Sequence, residues 1–233
     1  MTSDKGNVTT ENPLRRVLRS CLRAKEMLSF KEWTMARLDQ TFGLRQVRDC
    51  SCLRDWLEYP AKISDLERQM LMIFREKLRL NVDDWNEAEL SQNFIGPVFA
   101  LTDFTTDKFN HFAERPLSGI VDGIEMGGKP DGMIASGHRE PRKPYFCFQE
   151  YKREKDNEGD PAAQTLAAML VAREISERKI PIYGAYVRGR FWFFMVLKYR
   201  AYSISDAYVA TRDDLFDLFG ILRHLKQMLL SVV

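Results

Sequence analysis

The chain has 233 residues and a formal net charge of +2; 45% of its residues are hydrophobic, 29% charged and 12% aromatic. That apolar fraction excludes a disordered chain, and the length suffices for one large domain with a true core. The longest apolar runs, Phe191 to Leu197 and Leu166 to Ala172, are too short to cross a bilayer. The first ten residues, MTSDKGNVTT, lack the apolar core of a secretion signal. The four cysteines, Cys21, Cys50, Cys52 and Cys147, do not make a disulfide framework. A soluble, cytoplasmic protein with reduced thiols and no membrane partner is expected.

Charge divides unevenly. Residues 1–80 carry 16 Lys+Arg against 11 Asp+Glu, and residues 81–233 carry 19 against 22. A basic front half suits a polyanionic partner. Arg15, Arg19 and Arg23 are four apart and would share one helix face, either a solvated face or one that grips phosphates. From Pro13 to Leu80 the pattern is helical. Leu14, Val17, Leu18, Cys21 and Leu22 form one stripe, and Leu66, Met70, Ile73, Phe74 and Leu78 another. Ser64 and Glu67 have capping-box spacing. Thr41-Phe42-Gly43 and Tyr59-Pro60 read as breaks. The chain thus divides into a basic helical segment, 1–80, and a second region, 81–233.

After a polar connection, Glu87 to Leu101 reads as a helix with Leu90, Phe94, Val98 and Leu101 on one side. Strands are expected at Gly119 to Met126, Pro130 to Ser136 and Tyr145 to Lys152, with a turn at Gly127-Gly128. Asp160 and Pro161 begin a helix to Arg178. Strands follow at Ile182 to Val187 and Phe191 to Tyr199 around a turn at Arg188-Gly189, then a further short strand from Ala201 to Val209. Thr211 is placed to cap a last helix through Leu229, which buries Leu215, Leu218, Phe219, Leu222 and Leu225. The fold class is α/β or α+β, a mixed sheet with helices on it.

The stretch from Gly128 to Glu154 carries the chemistry. Pro130-Asp131 precedes an apolar strand that ends in Glu150-Tyr151-Lys152. Alternate strand residues share a face, so Phe146, Phe148, Glu150 and Lys152 are expected to point one way. An idle carboxylate and ammonium buried at a strand end would be costly. With an aspartate from a neighbouring strand they suit Mg²⁺, which takes oxygen ligands and keeps waters. A lysine beside it can orient or help deprotonate an attacking water, and the metal offsets phosphodiester charge. A second such triplet, Glu177-Arg178-Lys179, falls at a helix end, where its charges do not share a face. Read singly, Asp131 could be a turn residue, and Glu150 with Lys152 a surface pair on an edge strand.

On these residues, the region from about Glu87 to Val196 resembles the PD-(D/E)XK nuclease superfamily. Within it the chain is most similar to the N-terminal nuclease domain of type I restriction motor subunits. The resemblance implies a restriction-endonuclease-like core with an N-terminal helical extension. It makes Asp131 the motif aspartate, Glu150 the second carboxylate and Lys152 the motif lysine. The segment EAELSQNFIGP looks like the family's leading helix, whose acidic residue completes the metal site; Glu87 matches best and Glu89 is the near alternative. Gln164 matches an auxiliary glutamine, although Ala168 stands where one branch has tyrosine. The implied activity is Mg²⁺-dependent hydrolysis of DNA, with Mn²⁺ able to substitute. Asp131, Glu150 and Glu87 would be the metal ligands, and the products would carry 5′-phosphates, in a restriction, defence or repair setting. An inactive nuclease-fold module that binds nucleic acid or a protein, and an RNA-cleaving toxin, are the alternatives.

Basic residues Arg139, Arg142 and Lys143, in the loop Ser136 to Pro144 expected beside the site, then Arg153 and Lys155, are expected to meet the phosphate backbone; the first three equally suit a solvated loop. A homodimer or an accessory recognition protein would be further partners. His111, His138 and His224 lack metal-ligand spacing. Trp192, Phe193 and Phe194 suit a buried strand better than a base-stacking platform.

Overall fold

The computed structural model describes residues 27–58, 62–155, 159–176 and 180–232. The first expected stripe with Arg15, Arg19 and Arg23, the Tyr59-Pro60 break and the Glu177-Arg178-Lys179 triplet lie outside the described residues.

The front of the chain is not purely helical. It runs β1 (Leu28–Ser29), a 3₁₀ turn (Phe30–Glu32), α1 (Met35–Phe42), β2 (Arg45–Gln46), α2 (Ser51–Leu57) and α3 (Asp65–Asn81). Gly43 ends α1 at φ 59°, where a residue without Cβ is least strained. The Ser64 hydroxyl accepts from Glu67 N, and the Glu67 carboxylate accepts from Ser64 N, so the expected capping box starts α3. The stripe on α3 is rotated from the expected one: Leu71 and Leu78 are buried, whereas Leu66 and Ile73 are exposed. Apolar residues lie almost all round this helix, so periodicity alone allowed two faces and tertiary packing chose one.

Helix α4 (Glu87–Leu90) continues through a π turn (Ser91–Ile95) into α5 (Gly96–Thr102), burying Leu90, Phe94 and Val98. Then come β3 (Phe109–Ala113), β4 (Leu117–Val121), β5 (Ile124–Gly128), β6 (Gly132–Ser136) and β7 (Arg142–Lys152). The chain closes with α6 (Pro161–Ile175), β8 (Ile182–Arg188), β9 (Phe191–Lys198), β10 (Ala201–Ile204), β11 (Tyr208–Val209) and α7 (Asp214–Val232). Helix α7 begins at Asp214, later than the expected Thr211 cap.

The turn between β4 and β5 falls at Asp122-Gly123, both at positive φ, not at Gly127-Gly128. Those two glycines pair within β5. A Cβ on Gly127 would lie 2.6 Å from Met27 Sδ, and one on Gly128 2.6 Å from Phe30 Cδ2. They are glycines because the front of the chain presses on them. Gly128→Ala is therefore expected to cost about 1–3 kcal/mol by overpacking. Urea unfolding measures it, and wild-type stability would show that Phe30 yields freely.

The large mixed sheet has the order β2-β10-β9-β8-β7-β6-β3, with β11 added to β9; β7 and β8 are parallel. A small sheet has the order β1-β5-β4. Strands from before residue 81 thus enter both sheets. One face of the large sheet is covered by α6, buried at every residue from Pro161 to Ala172, with Leu166 and Met169 against Phe148 and Met195. The small sheet and α1 back α6 from the other side. The opposite face packs Trp56, Phe94, Phe194 and Phe219 under α2, α4–α5 and α7. Trp56 Nε1 donates to Ile221 O at 2.9 Å.

One bulge corrects the expected face assignment. Ile134 pairs with Cys147, but Ala135 pairs with Tyr145, leaving Phe146 as the extra residue. Phe146 and Cys147 therefore both enter the α7-side core, and Phe148 enters the α6-side core. The strand's regular alternation puts Glu150 and Lys152 on Phe148's face.

Candidate active site

Strand β6 begins at Gly132, just after Pro130-Asp131. Pro130 has no N–H to add to the ladder. Asp131 instead reaches across, and its Oδ2 accepts from the backbone N of Tyr151 at 2.6 Å. This fixes the carboxylate beside the end of β7. Gly132 next to it has no room for a side chain: a Cβ would lie 2.1 Å from Gln149 Oε1 and 2.8 Å from His111 Nε2. His111 stacks on Phe99 with ring centroids 4.8 Å apart, and its Nε2 lies 3.2 Å from Gln149 Oε1. His111 is thus a packed buttress on the far face of the strand.

Glu150 and Lys152 are both buried. Lys152 Nζ lies 3.2 Å from Glu150 Oε1 and 3.2 Å from Glu87 Oε2. Glu87 is the first residue of α4. Glu89 is used differently: its carboxylate accepts from Asn86 N at 2.9 Å, and its own N–H donates to Asn86 Oδ1, a capping box. Of the two expected glutamates, the fold brings Glu87 to the lysine and spends Glu89 on the helix end.

Burial pushes the Asp131 carboxyl up to about 6; the Tyr151 N–H opposes this, and Glu87 adds to it. Burial likewise raises Glu150 to about 7, reinforced by Asp131 and opposed by Lys152. For Lys152, burial pulls downward, but the charges of Glu150 and Glu87 outweigh it, and the net shift is upward. Lys152 is an ammonium at neutral pH. Lys31, on the 3₁₀ turn, also acts on Asp131; nothing in the sequence pointed to it, because it lies 100 residues away.

Among the described residues no group of three or more His, Cys, Asp or Glu side chains is gathered so as to hold a metal ion as it stands. Lys152 lies between two of the carboxylates. The donor set nonetheless fits a hard divalent cation. Asp131, Glu150 and Glu87 are oxygen donors; the charge of Glu87 raises both Asp131 and Glu150, that of Asp131 raises Glu150, and a cation would relieve that repulsion.

Gln164 is buried in the first turn of α6. A Cβ on Gly159 would lie 3.1 Å from Gln164 Nε2 and 3.9 Å from Lys152 Cε, so the amide and the lysine stem border the same glycine. A further clamp was not foreseen. Glu154 accepts from Arg190 N at 2.8 Å and from Arg190 Nε at 2.9 Å, and Arg190 Nη2 donates to Asp83 at 2.9 Å. This ties the segment leading into α4, and hence Glu87, to the end of β7.

Arg153 and Lys155 follow β7 directly and are exposed. Arg139, Arg142 and Lys143 are exposed but are not beside the carboxylates, contrary to expectation. Ser136 pairs with Arg142 and Gly132 with Gln149, so the hairpin turn is at the opposite end of the sheet. Eight residues of strand separate Arg142 from Glu150, roughly 25 Å. Cys147 is core, and burial pushes its thiol up to about 12. His138 is exposed, and His224 Nδ1 lies 2.9 Å from Trp56 O.

The fold and site define a mixed α/β protein with a large mixed sheet flanked by helices and an acidic cluster around a lysine at one end of it. No helix among the described residues is long and apolar enough to cross a membrane. The chain matches no protein-family model, and no curated protein sequence matches it.

Proposed function

We propose that this protein is a divalent-metal-dependent nuclease that hydrolyses phosphodiester bonds in DNA, on a restriction-endonuclease-like core of the PD-(D/E)XK kind. The observation that carries the reading is the convergence of Asp131, Glu150 and Glu87 around Lys152, from three separate elements. Buried carboxylates held at raised pKa beside a charged lysine are a usual mark of a working site.

Asp131, Glu150 and Glu87 would hold Mg²⁺ or Mn²⁺. The bound cation supplies Lewis acidity, neutralising charge on the phosphodiester and activating a water. The chain's own residues do the rest. Tyr151 N holds Asp131 in place. Lys152, held as an ammonium by Glu150 and Glu87, orients the water or a phosphate oxygen and opposes the charge that develops there. Gln164 would be an auxiliary polar contact, and the exposed Arg153 and Lys155 would meet the strand's backbone. Restriction-type defence or DNA repair is the setting this reading suggests.

The test is cleavage of supercoiled and linear DNA, with RNA alongside, in Mg²⁺ or Mn²⁺. Wild type is expected to cut DNA, and neither EDTA-treated protein nor Asp131→Ala should do so. Folded wild type that binds DNA and never cuts it would leave a binding module in place of an enzyme.

A further inference from the structure

Glu150 and Lys152 pair with Tyr186 and Arg188 across the β7–β8 ladder. Tyr186 and Arg188 pair in turn with Phe193 and Phe191 across β8–β9. Paired residues share a face of the sheet. One end of the α6-side face therefore carries, side by side, the acidic cluster with its lysine, then Tyr186 and Arg188, then Phe193 and Phe191. Neighbouring strands are about 4.8 Å apart, so Tyr186 stands one strand from Glu150.

Helix α6 covers Met195 and Leu197 further along this face, but its first turn stops short of the end. A cavity of about 310 Å³ remains, lined by Asp160, Pro161, Tyr186, Arg188, Phe191 and Phe193 among others. Tyr186 and Phe193 also line an adjoining cleft of about 900 Å³ that reaches β2 and α2. Their rings stack with centroids 4.6 Å apart and planes 10° from parallel. The aromatic run on β9 is thus divided: Trp192 and Phe194 are fully buried core, whereas Phe193 is half-buried and Phe191 exposed. Among the described residues the one acid lining the smaller cavity, Asp160, has both oxygens engaged, Oδ1 by Ala163 N at 3.0 Å and Oδ2 by Met35 N at 3.3 Å.

Resting on the nuclease reading above, we infer that Tyr186 and Phe193 form a platform on which an unpaired nucleobase stacks, with Arg188 placed for the adjoining phosphate. The strand delivered to the carboxylates is then single-stranded DNA. A base in a duplex has both faces covered by its neighbours, and only an unstacked base can extend the Tyr186–Phe193 stack. Arg188 beside Lys152 supplies the charge a backbone requires, and the platform is continuous with the site.

The test measures fluorescence anisotropy of a labelled 20-mer of thymidine, a duplex of the same length and a 20-mer of uridine, in EDTA so that nothing is cut. The proteins are wild type, Phe193→Ala, Phe193→Leu and Arg188→Gln. Removing one stacking ring is expected to weaken single-strand binding about 5- to 100-fold, with duplex binding changed less than twofold. Phe193→Leu keeps apolar bulk without an aromatic face, so it should show a loss of binding with the wild-type melting temperature even if Phe193→Ala does not fold. Arg188→Gln should weaken single-strand binding and flatten its salt dependence. Single-strand affinity within twofold of wild type in a folded Phe193 variant, or equal losses for duplex, overturns the platform. Tighter Phe193-dependent binding of the uridine strand overturns DNA as the ligand. Cleavage of the thymidine 20-mer and of plasmid in Mg²⁺, run in parallel, keeps the two readings apart. Cleavage without a Phe193 effect on binding overturns the platform alone. Phe193-dependent binding without any cleavage overturns hydrolysis and supports the platform. Neither cleavage nor single-strand binding overturns both.

Discussion

Lys152→Met is expected to abolish cleavage and to destabilise the protein by about 3 kcal/mol at pH 8, the usual cost of breaking a buried ion pair from one side. The lysine is 7% exposed and is the cation within reach of both Glu150 and Glu87, at 3.2 Å each. Methionine fills most of the same volume, so the effect is electrostatic, not a cavity. Without the ammonium, Glu150 keeps its burial and its repulsion from Asp131 and loses the charge that opposed them. It can escape by taking a proton, and its carboxyl already sits at about 7. The destabilisation should therefore shrink on going from pH 8 to pH 6. Lys152→Arg keeps the charge, but its planar fork cannot reproduce a point ammonium between two carboxylates. It should recover stability while cleavage stays down roughly 10²- to 10³-fold, as for loss of other positioned transition-state charges. Urea melts at the two pH values and plasmid nicking measure both parts. A Lys152→Met protein that cuts within tenfold of wild type would remove the lysine from the chemistry.

The parts of this site that were legible in the sequence were those set by local rules. An apolar strand running into Glu150-Tyr151-Lys152, after Pro130-Asp131 at hairpin distance, fixes two neighbouring strand ends without knowledge of the rest. The Ser64 box, the Asp160 cap and the Gly189 turn are equally local, and each lies where expected. The choice between Glu87 and Glu89 needed the Asn86 capping box, itself a four-residue pattern open to inspection. The far-end position of Arg139, Arg142 and Lys143 was also implicit, since an antiparallel hairpin puts its turn away from its open ends. What was not legible depends on contacts distant in sequence. Gly127 and Gly128 look like a turn until Met27 and Phe30 are seen against them. The two-residue strands β1 and β2 have no pattern of their own and exist because β5 and β10 offer edges. The Phe146 bulge, the charge of Lys31 at Asp131 and the Arg190–Asp83 tie each require the assembled sheet. So does the neighbourhood of Glu150 and Tyr186, because the register of a parallel pair joined through a helix is not written in either strand.

The acidic cluster makes a second large effect measurable, and its sign is set by the two raised carboxyls. Asp131 and Glu150 ordinarily titrate near 3.8 and 4.5, and here they sit at about 6 and about 7. Between those values the folded protein holds protons that the unfolded chain has released. Their contribution to stability is therefore complete below about pH 4 and is lost as pH rises through 6 to 7. Lys152, raised from an already high value, stays charged across that window and adds no slope to it. At about 1.4 kcal/mol per pKa unit, the metal-free protein should lose on the order of 3 kcal/mol from this cluster between pH 5 and pH 8. A divalent cation competes with those same protons, so its binding must strengthen over the same interval. Melting temperatures with and without Mg²⁺ or Mn²⁺ should therefore nearly coincide at pH 5 and differ by several degrees at pH 8. Asp131→Asn isolates the cause. Its amide oxygen can still accept from Tyr151 N, while one of the mutually repelling charges is gone. The metal-free variant should melt higher than metal-free wild type at pH 8, by about 2–4 °C for each kcal/mol relieved. It should also lose most of the shift produced by the cation. A metal-free wild type no less stable at pH 8 than Asp131→Asn, or a cation shift that survives that substitution, would mean that these carboxylates are not where a divalent ion binds.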